Sequence, residues 1–152
     1  MENKLEIALS DIKKGTPIEE ASRSIDWKDF EGLVAEILES KSFEVVRNFR
    51  MKKPTMEIDV IGIHLGTAVV IDCKHWKRMT NSALEKIVLR QIERVKHYVA
   101  SMDEVVAAPV IVTLYHEQIN FINRVPIVPV QQLSSFIDEF YGNLDKVKTK
   151  EK

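Results

Sequence analysis

Two aspartates and a lysine carry the chemistry that is easiest to read in this 152-residue chain: Asp59, Asp72 and Lys74. Asp59 lies in the stretch Met56–His64, and Asp72 in Thr67–Cys73, with Lys74 at its exit. Both stretches are rich in β-branched residues, and the turn His64-Leu65-Gly66-Thr67 between them predicts a hairpin. Side chains alternate along a strand, so Asp72 and Lys74 share one face, as do Glu57, Asp59 and Ile61. An even-length loop centred on Leu65 and Gly66 sets Asp59 across from Asp72 and Glu57 across from Lys74. Opposed residues of this kind have Cβ atoms about 4.5–5.5 Å apart. Two carboxylates that close resist joint ionisation unless a cation lies between them. Mg²⁺, which accepts hard oxygen ligands and often uses one or two carboxylates with water and phosphate, suits that demand. Lys74 would reach the same pocket, to orient an attacking water or neutralise developing phosphate charge. Other arrangements stay open. A three-residue loop shifts the register and separates the aspartates, both acids could face solvent, and Glu57 with Lys74 could be an ordinary cross-strand ion pair. Strands this apolar rarely match two acids at interior positions without purpose, so the metal site is preferred.

Two helical polar residues join the candidates. On a wheel of 100° per residue, Trp27, Phe30, Leu33, Val34, Ile37 and Leu38 fill one arc of a helix Trp27–Ser40 capped by Asp26. Glu31 falls at the margin of that arc. A longer helix, Ser82–Ser101, opens on the capping box Ser82-Ala83-Leu84-Glu85. Gln91 sits mid-arc there, among Leu84, Ile87, Val88, Ile92, Val95, Tyr98 and Val99. Each taken alone is more often structural, Glu31 as a surface charge and Gln91 as a buried amide satisfied by backbone. Taken with the hairpin, each offers a polar group to support a metal. His64, His75, His97 and His116 show no ligand spacing with Cys73, so zinc is disfavoured. No serine or cysteine nucleophile is arranged for attack.

The elements that must hold these residues follow from periodicity. Leu5–Lys14 and Pro17–Ser24 predict two short helices around Gly15-Thr16-Pro17. Strands are expected over Phe43–Phe49, Met56–His64 and Thr67–Cys73, with Arg50–Thr55 as a basic connection. After the long helix, Val110–Leu114 suits a buried strand, Val125–Val130 another, and Gln131–Tyr141 a closing helix with Leu133, Phe136, Ile137 and Phe140 inward. A three-strand meander joined by a long helix to further strands implies a mixed sheet with helices on its faces.

Composition bounds the rest. The chain is 45% hydrophobic and 30% charged, enough for one self-sufficient core. One cysteine excludes a disulfide framework and favours a reducing, cytoplasmic location. No apolar run reaches membrane-spanning length, and the first residues lack a signal-peptide core. A net charge of −1 argues against a protein that coats nucleic acid, not against one that grips it locally. Basic residues cluster at Arg47, Arg50, Lys52 and Lys53, and again at Lys74, Lys77 and Arg78. On charge alone these are solvated loops; flanking an acidic pocket, they become candidate DNA contacts. His75 and Trp76 at the strand exit could also touch DNA, although a turn-end aromatic is commonly packing.

The stretches WKDFEGLVAEIL, FEVVRNF and MEIDVIGIHLGTAVVIDCKHWKR resemble the restriction-endonuclease-like PD-(D/E)xK nuclease superfamily, with the closest look to its Mrr-like and archaeal Holliday-junction-resolvase-like branches. The motifs span Trp27 to Val99, and a strand–helix remainder runs to about Tyr141. The resemblance implies an α/β fold with an αβββαβ core, a central mixed β-sheet flanked by helices, over residues 26–142. A small N-terminal helical extension (1–25) and a charged flexible tail (143–152) lie outside it. It implies Mg²⁺- or Mn²⁺-dependent hydrolysis of phosphodiester bonds in DNA. Asp59 and Asp72 match the metal-binding acids, and Lys74 the catalytic lysine. Glu31 matches the glutamate that binds or supports the metal through water, and Gln91 the polar residue on the following helix. Ile58 stands where the motif's name has proline, a departure many members share. Relatives often act as homodimers. The alternative is a catalytically silent DNA-binding or assembly module that keeps the fold.

Overall fold

A computed structural model describes residues 7, 10, 14–15, 27–74, 80–102, 105–114, 119–140 and 149–151. The two expected N-terminal helices fall largely outside these residues, as do His75, Trp76, Lys77 and Arg78. Helix α1, Trp27–Ser40, covers the predicted span and turns Phe30, Val34 and Leu38 fully inward. It ends in a Schellman closure without glycine. Ser42 takes the left-handed φ of 68°, Phe43 N–H donates to Leu38 O, and Ser42 N–H donates to Glu39 O. Phe43 and Leu38 then meet in the core, the hydrophobic contact that accompanies this cap.

Strands β1 (Glu44–Lys52), β2 (Thr55–His64) and β3 (Thr67–Lys74) form the meander. Helix α2 (Asn81–Ser101) leads to β4 (Val106–Thr113), followed by β5 (Asn120–Ile122), β6 (Val125–Pro129), α3 (Val130–Asp138) and β7 (Lys150–Glu151). The sheet order is β1-β2-β3-β4-β6-β5. The β1–β2 and β2–β3 pairs are antiparallel, and β3–β4 and β4–β6 are parallel. The expected mixed sheet is therefore present. It is wider than expected because the short β5 pairs with β6, and β4 begins at Val106 rather than after Pro109. Lys150 and Glu151 pair with Ala107 and Val106, so the tail expected to fray is strand-paired at these two residues. Helix α2 is capped by Thr80, whose side chain accepts from Ala83 N–H. Thr80 thereby replaces the expected Ser82, and the helix starts one residue early.

Helices cover both faces of the sheet. Phe30, Val34 and Leu38 of α1 and Leu133, Phe136 and Ile137 of α3 pack with Val60, Val69, Ile71, Cys73, Val110 and Val112. On the opposite face Val95, Tyr98 and Val99 of α2 meet Ile61, Ala68 and Val70. Leu84 and Val88 of the same helix meet Ile111 and Ile127. Strand β3, central and parallel to β4, is buried along its length except for the half-buried Lys74, as a strand covered on both faces must be. Gly62 of β2 lets α1 approach: a Cβ there would lie 2.9 Å from Leu38 Cδ1 and 3.1 Å from Phe43 Cδ2.

Candidate active site

The β2–β3 register is the one the two-residue loop demands. His64 pairs with Thr67 and Val60 with Ile71, and Leu65 and Gly66 carry φ of 50° and 76°, as a type I′ turn requires. Continued outward, this register sets Asp59 across from Asp72. The regular pairing stops at Val60–Ile71, and beyond it Asp59 Oδ2 accepts a 2.9 Å hydrogen bond from Cys73 N–H. A side chain thus takes a backbone donor of the neighbouring strand, and the regular ladder ends at the acids.

Alternation along β2 also breaks here. Ile58 and Ile61 belong to the same core cluster, while Val60 faces the other. On β1, the Arg47–Val60 and Phe49–Ile58 pairs flank Asn48, which has a left-handed φ of 54°. Asparagine tolerates that conformation better than most residues. With its amide nitrogen turned to the acids, Asn48 donates to both Glu31 Oε1 and Glu57 Oε1 at 3.3 Å. Glu31 is brought from one helix layer and Gln91 from the other, so the acids occupy the end of the sheet between the layers.

Burial and like charge set the electrostatics. The Asp59 carboxyl is pushed up to about 6, first by burial and then by the facing Asp72. A hydrogen bond to the Asp72 carboxyl adds to this, while the Cys73 amide and Lys74 pull the other way. Glu31, 7% exposed, is raised by burial and by Asp59 and Glu57, against the lowering charge of Arg47. Cys73 is raised well above its ordinary value, first by burial and then by Asp59, Asp72 and Glu31. Its thiol therefore stays protonated and is no nucleophile.

Asp72 is 5% exposed. Its Oδ2 accepts no hydrogen bond, although Lys74 Nζ stands 3.5 Å away and Arg94 Nη1 3.8 Å. Gln91, fully buried, donates to Val70 O at 2.8 Å and accepts from Arg94 Nη1 at 3.0 Å. The expected amide is thus satisfied by backbone at one end and holds a cation at the other. Arg94 was not singled out from the sequence. Its spacing of three residues from Gln91 on one helix is the signal that could have found it. Asn48 gave no such signal, since its conformation arises from pairing between strands.

A family model described as NERD, nuclease-related domain, matches residues 26–133. The chain belongs to this family. NERD is a PD-(D/E)xK-like nuclease family, so the sheet and its flanking helices form a restriction-endonuclease-like nuclease fold. None of the curated proteins matches the chain. Among solved structures, the crystal structure of a protein of unknown function, AF1548, is similar at 18% identity with a TM-score of 0.44, over 70% of this chain and 52% of that one. The NERD chain here spans about half the length of that protein.

The basic candidates separate. Arg47 Nη2 donates to Lys28 O at 3.1 Å, which ties it to α1. Arg50 pairs with Glu57 at 3.8 Å, so Glu57 has a partner on β1, and the regular β2–β3 pairing ends before the expected Glu57–Lys74 position. Arg50, Lys52 and Lys53 line an open groove of about 450 Å³ with Phe49, Met51, His97, Ala100 and Ser101. Lys77 and Arg78 lie outside the described residues. Among the described residues no helix is long and apolar enough to cross a membrane.

Proposed function

We propose that this NERD domain is a metal-dependent DNA endonuclease that hydrolyses phosphodiester bonds in a restriction, repair or recombination setting, with Mrr-like and resolvase-like enzymes as its nearest functional analogues. One observation carries the proposal. A buried carboxylate oxygen, Asp72 Oδ2, lacks a hydrogen bond beside a second acid, Asp59, whose carboxyl is raised to about 6. Buried polar atoms are almost always satisfied, and buried acids that face each other need a proton or a cation.

The donor set fits a hard divalent ion. Among the described residues no three His, Cys, Asp or Glu side chains converge to chelate a metal unaided. Mg²⁺ does not require that, since it keeps waters and takes one or two carboxylates with substrate phosphate. Asp59 and Asp72 would hold Mg²⁺ or Mn²⁺ directly, and Glu31 through water. When bound, the ion supplies Lewis-acid polarisation of the phosphate.

The chain's own groups do the rest. Lys74 Nζ, on the same strand end as Asp72, orients the attacking water by hydrogen bonding and offsets charge that develops on the phosphate. Gln91, anchored on Val70 O, fixes α2 against the middle of β3. Arg50, Lys52 and Lys53 attract the DNA backbone. The retained acids and lysine argue against a silent binding module, because clustered buried charge is costly to keep without a use.

The test is incubation of the purified protein with single-stranded, duplex and branched DNA in Mg²⁺ or Mn²⁺. Cleavage is expected, and Asp72→Ala should abolish it. Absence of cleavage on all three substrates, or full activity in the variant, overturns the proposal.

A further inference from the structure

Arg94 is shared between two environments. One edge of its guanidinium faces Asp72 and Gln91. The residue also lines an open groove of about 440 Å³, between the start of β2 (Thr55, Met56, Glu57) and the middle of α2 (Leu89, Arg90, Glu93). Arg90 and Arg94 lie four residues apart, so their Cβ atoms stand about 5–6 Å from each other on one face of α2. The groove has an apolar patch as well. Leu89 is 54% exposed, and Met56 lies across from it in the same lining. The two acids of the groove each have a cation beside them: Glu57 has Arg50 at 3.8 Å, and Glu93 has Lys96 at 3.8 Å. The groove thus sets two arginines beside two apolar side chains, with Arg94 at the margin of the acidic pocket.

We propose that this groove seats the substrate strand beside the bond that is cut, with Arg94 and Arg90 gripping successive phosphates and Met56 and Leu89 supporting the intervening base. The inference rests on the nuclease reading and deepens it. Guanidinium groups suit phosphate oxygens because their donors form a planar fork. An apolar platform accepts a base face without regard to sequence. Arg94 couples the groove to the pocket. While Asp72 lacks a cation, Arg94 supplies the nearby positive charge along with Lys74. With Asp72 engaged by a divalent ion, the Arg94 guanidinium would be free to turn to the strand. DNA affinity should therefore rise with a divalent ion partly through Arg94, whereas Arg90 contributes with or without one.

The experiment is fluorescence anisotropy of the full chain with a labelled single-stranded oligonucleotide and its duplex, over a series of salt concentrations. It is run with Ca²⁺ in place of Mg²⁺, and again without divalent ions. Each phosphate contact contributes a salt slope of about 0.7 for single strands and about 0.9 for duplex. Arg90→Ala should lower the slope by about that amount in both conditions and weaken binding several-fold. Arg94→Ala should do so in Ca²⁺ and change little without it. Arg90 is solvent-exposed on the helix, so its variant tests binding without loss of fold. Arg94→Lys should keep the slope in Ca²⁺ by retaining the charge. If the wild type binds and both alanine variants match it in affinity and slope, the groove assignment fails and the nuclease reading stands. If the wild type binds neither oligonucleotide, both fail.

Discussion

Replacing Asp59 by asparagine should make the protein more stable at neutral pH, although it removes a group expected to hold the metal. In the fold the Asp59 carboxyl titrates near 6, against an ordinary value of 3.8. A raised acid binds its proton more tightly in the native state, so stability falls as pH rises between these values and stays reduced above about 6. About two pKa units correspond to about 3 kcal/mol. Asp59 is only partly buried, so solvent screening reduces this to about 1–2 kcal/mol. Asparagine is isosteric. Its carbonyl can accept the Cys73 N–H bond, and its amide can donate to Asp72 as the protonated acid does. At pH 7.5 the melting temperature of Asp59→Asn should therefore exceed wild type by about 3–6 °C, and the gain should vanish by about pH 4. Magnesium should narrow the gap by stabilising the wild type, by about 1.4 kcal/mol at ten times its dissociation constant. Thermal melts from pH 4 to 8, with and without Mg²⁺, provide the measurement. A variant less stable than wild type at pH 7.5, or a difference that ignores pH, would refute the electrostatic reasoning.

Three further substitutions probe the frame that holds the site. Leu65 has a left-handed φ of 50° and is 84% exposed, so Leu65→Asn should stabilise by about 1 kcal/mol, read by urea denaturation, because asparagine favours that turn position. Gly62→Ala should destabilise by about 1–3 kcal/mol, because the new methyl meets Leu38 and Phe43 in a packed core; an unchanged denaturation midpoint would show that α1 yields. Gln91→Leu leaves Val70 O without its donor and Arg94 without its acceptor. It should cost about 2 kcal/mol in the same assay and lower DNA cleavage as Arg94 loses its hold.

Much of this architecture was legible because it depends on local rules. The arc of α1, the hairpin at Leu65-Gly66 and the buried run of β3 each follow from periodicity or turn geometry. The turn fixes the register, and the register brings Asp59 to Asp72. Burial of Gln91 was legible too, from its place among apolar neighbours on α2. Arg94 and Asn48 were not, and neither were β5 and β7. Three asparagine-to-isoleucine residues carry little strand pattern of their own, and β7 is two charged residues; both pair only because an edge or gap is offered by a neighbour. Asn48 adopts its left-handed conformation at the point where β1 and β2 lose regular pairing, a tertiary event with no local signature.

The gap at Asn48 lies beside the acids themselves. On the proposed reading, a site that opens a sheet to a phosphate cannot keep the regular ladder from which sequence rules are drawn. Asp59 gives up regular alternation and takes the Cys73 amide with its side chain, and Asn48 compensates by bonding Glu31 and Glu57. Local consistency fails where function asks the backbone to depart from it. On that reading, the break at Asp59 and the meeting of two acids answer one requirement. Restoring regular pairing there should close the space between β2 and β3 that a cation and a phosphate would need.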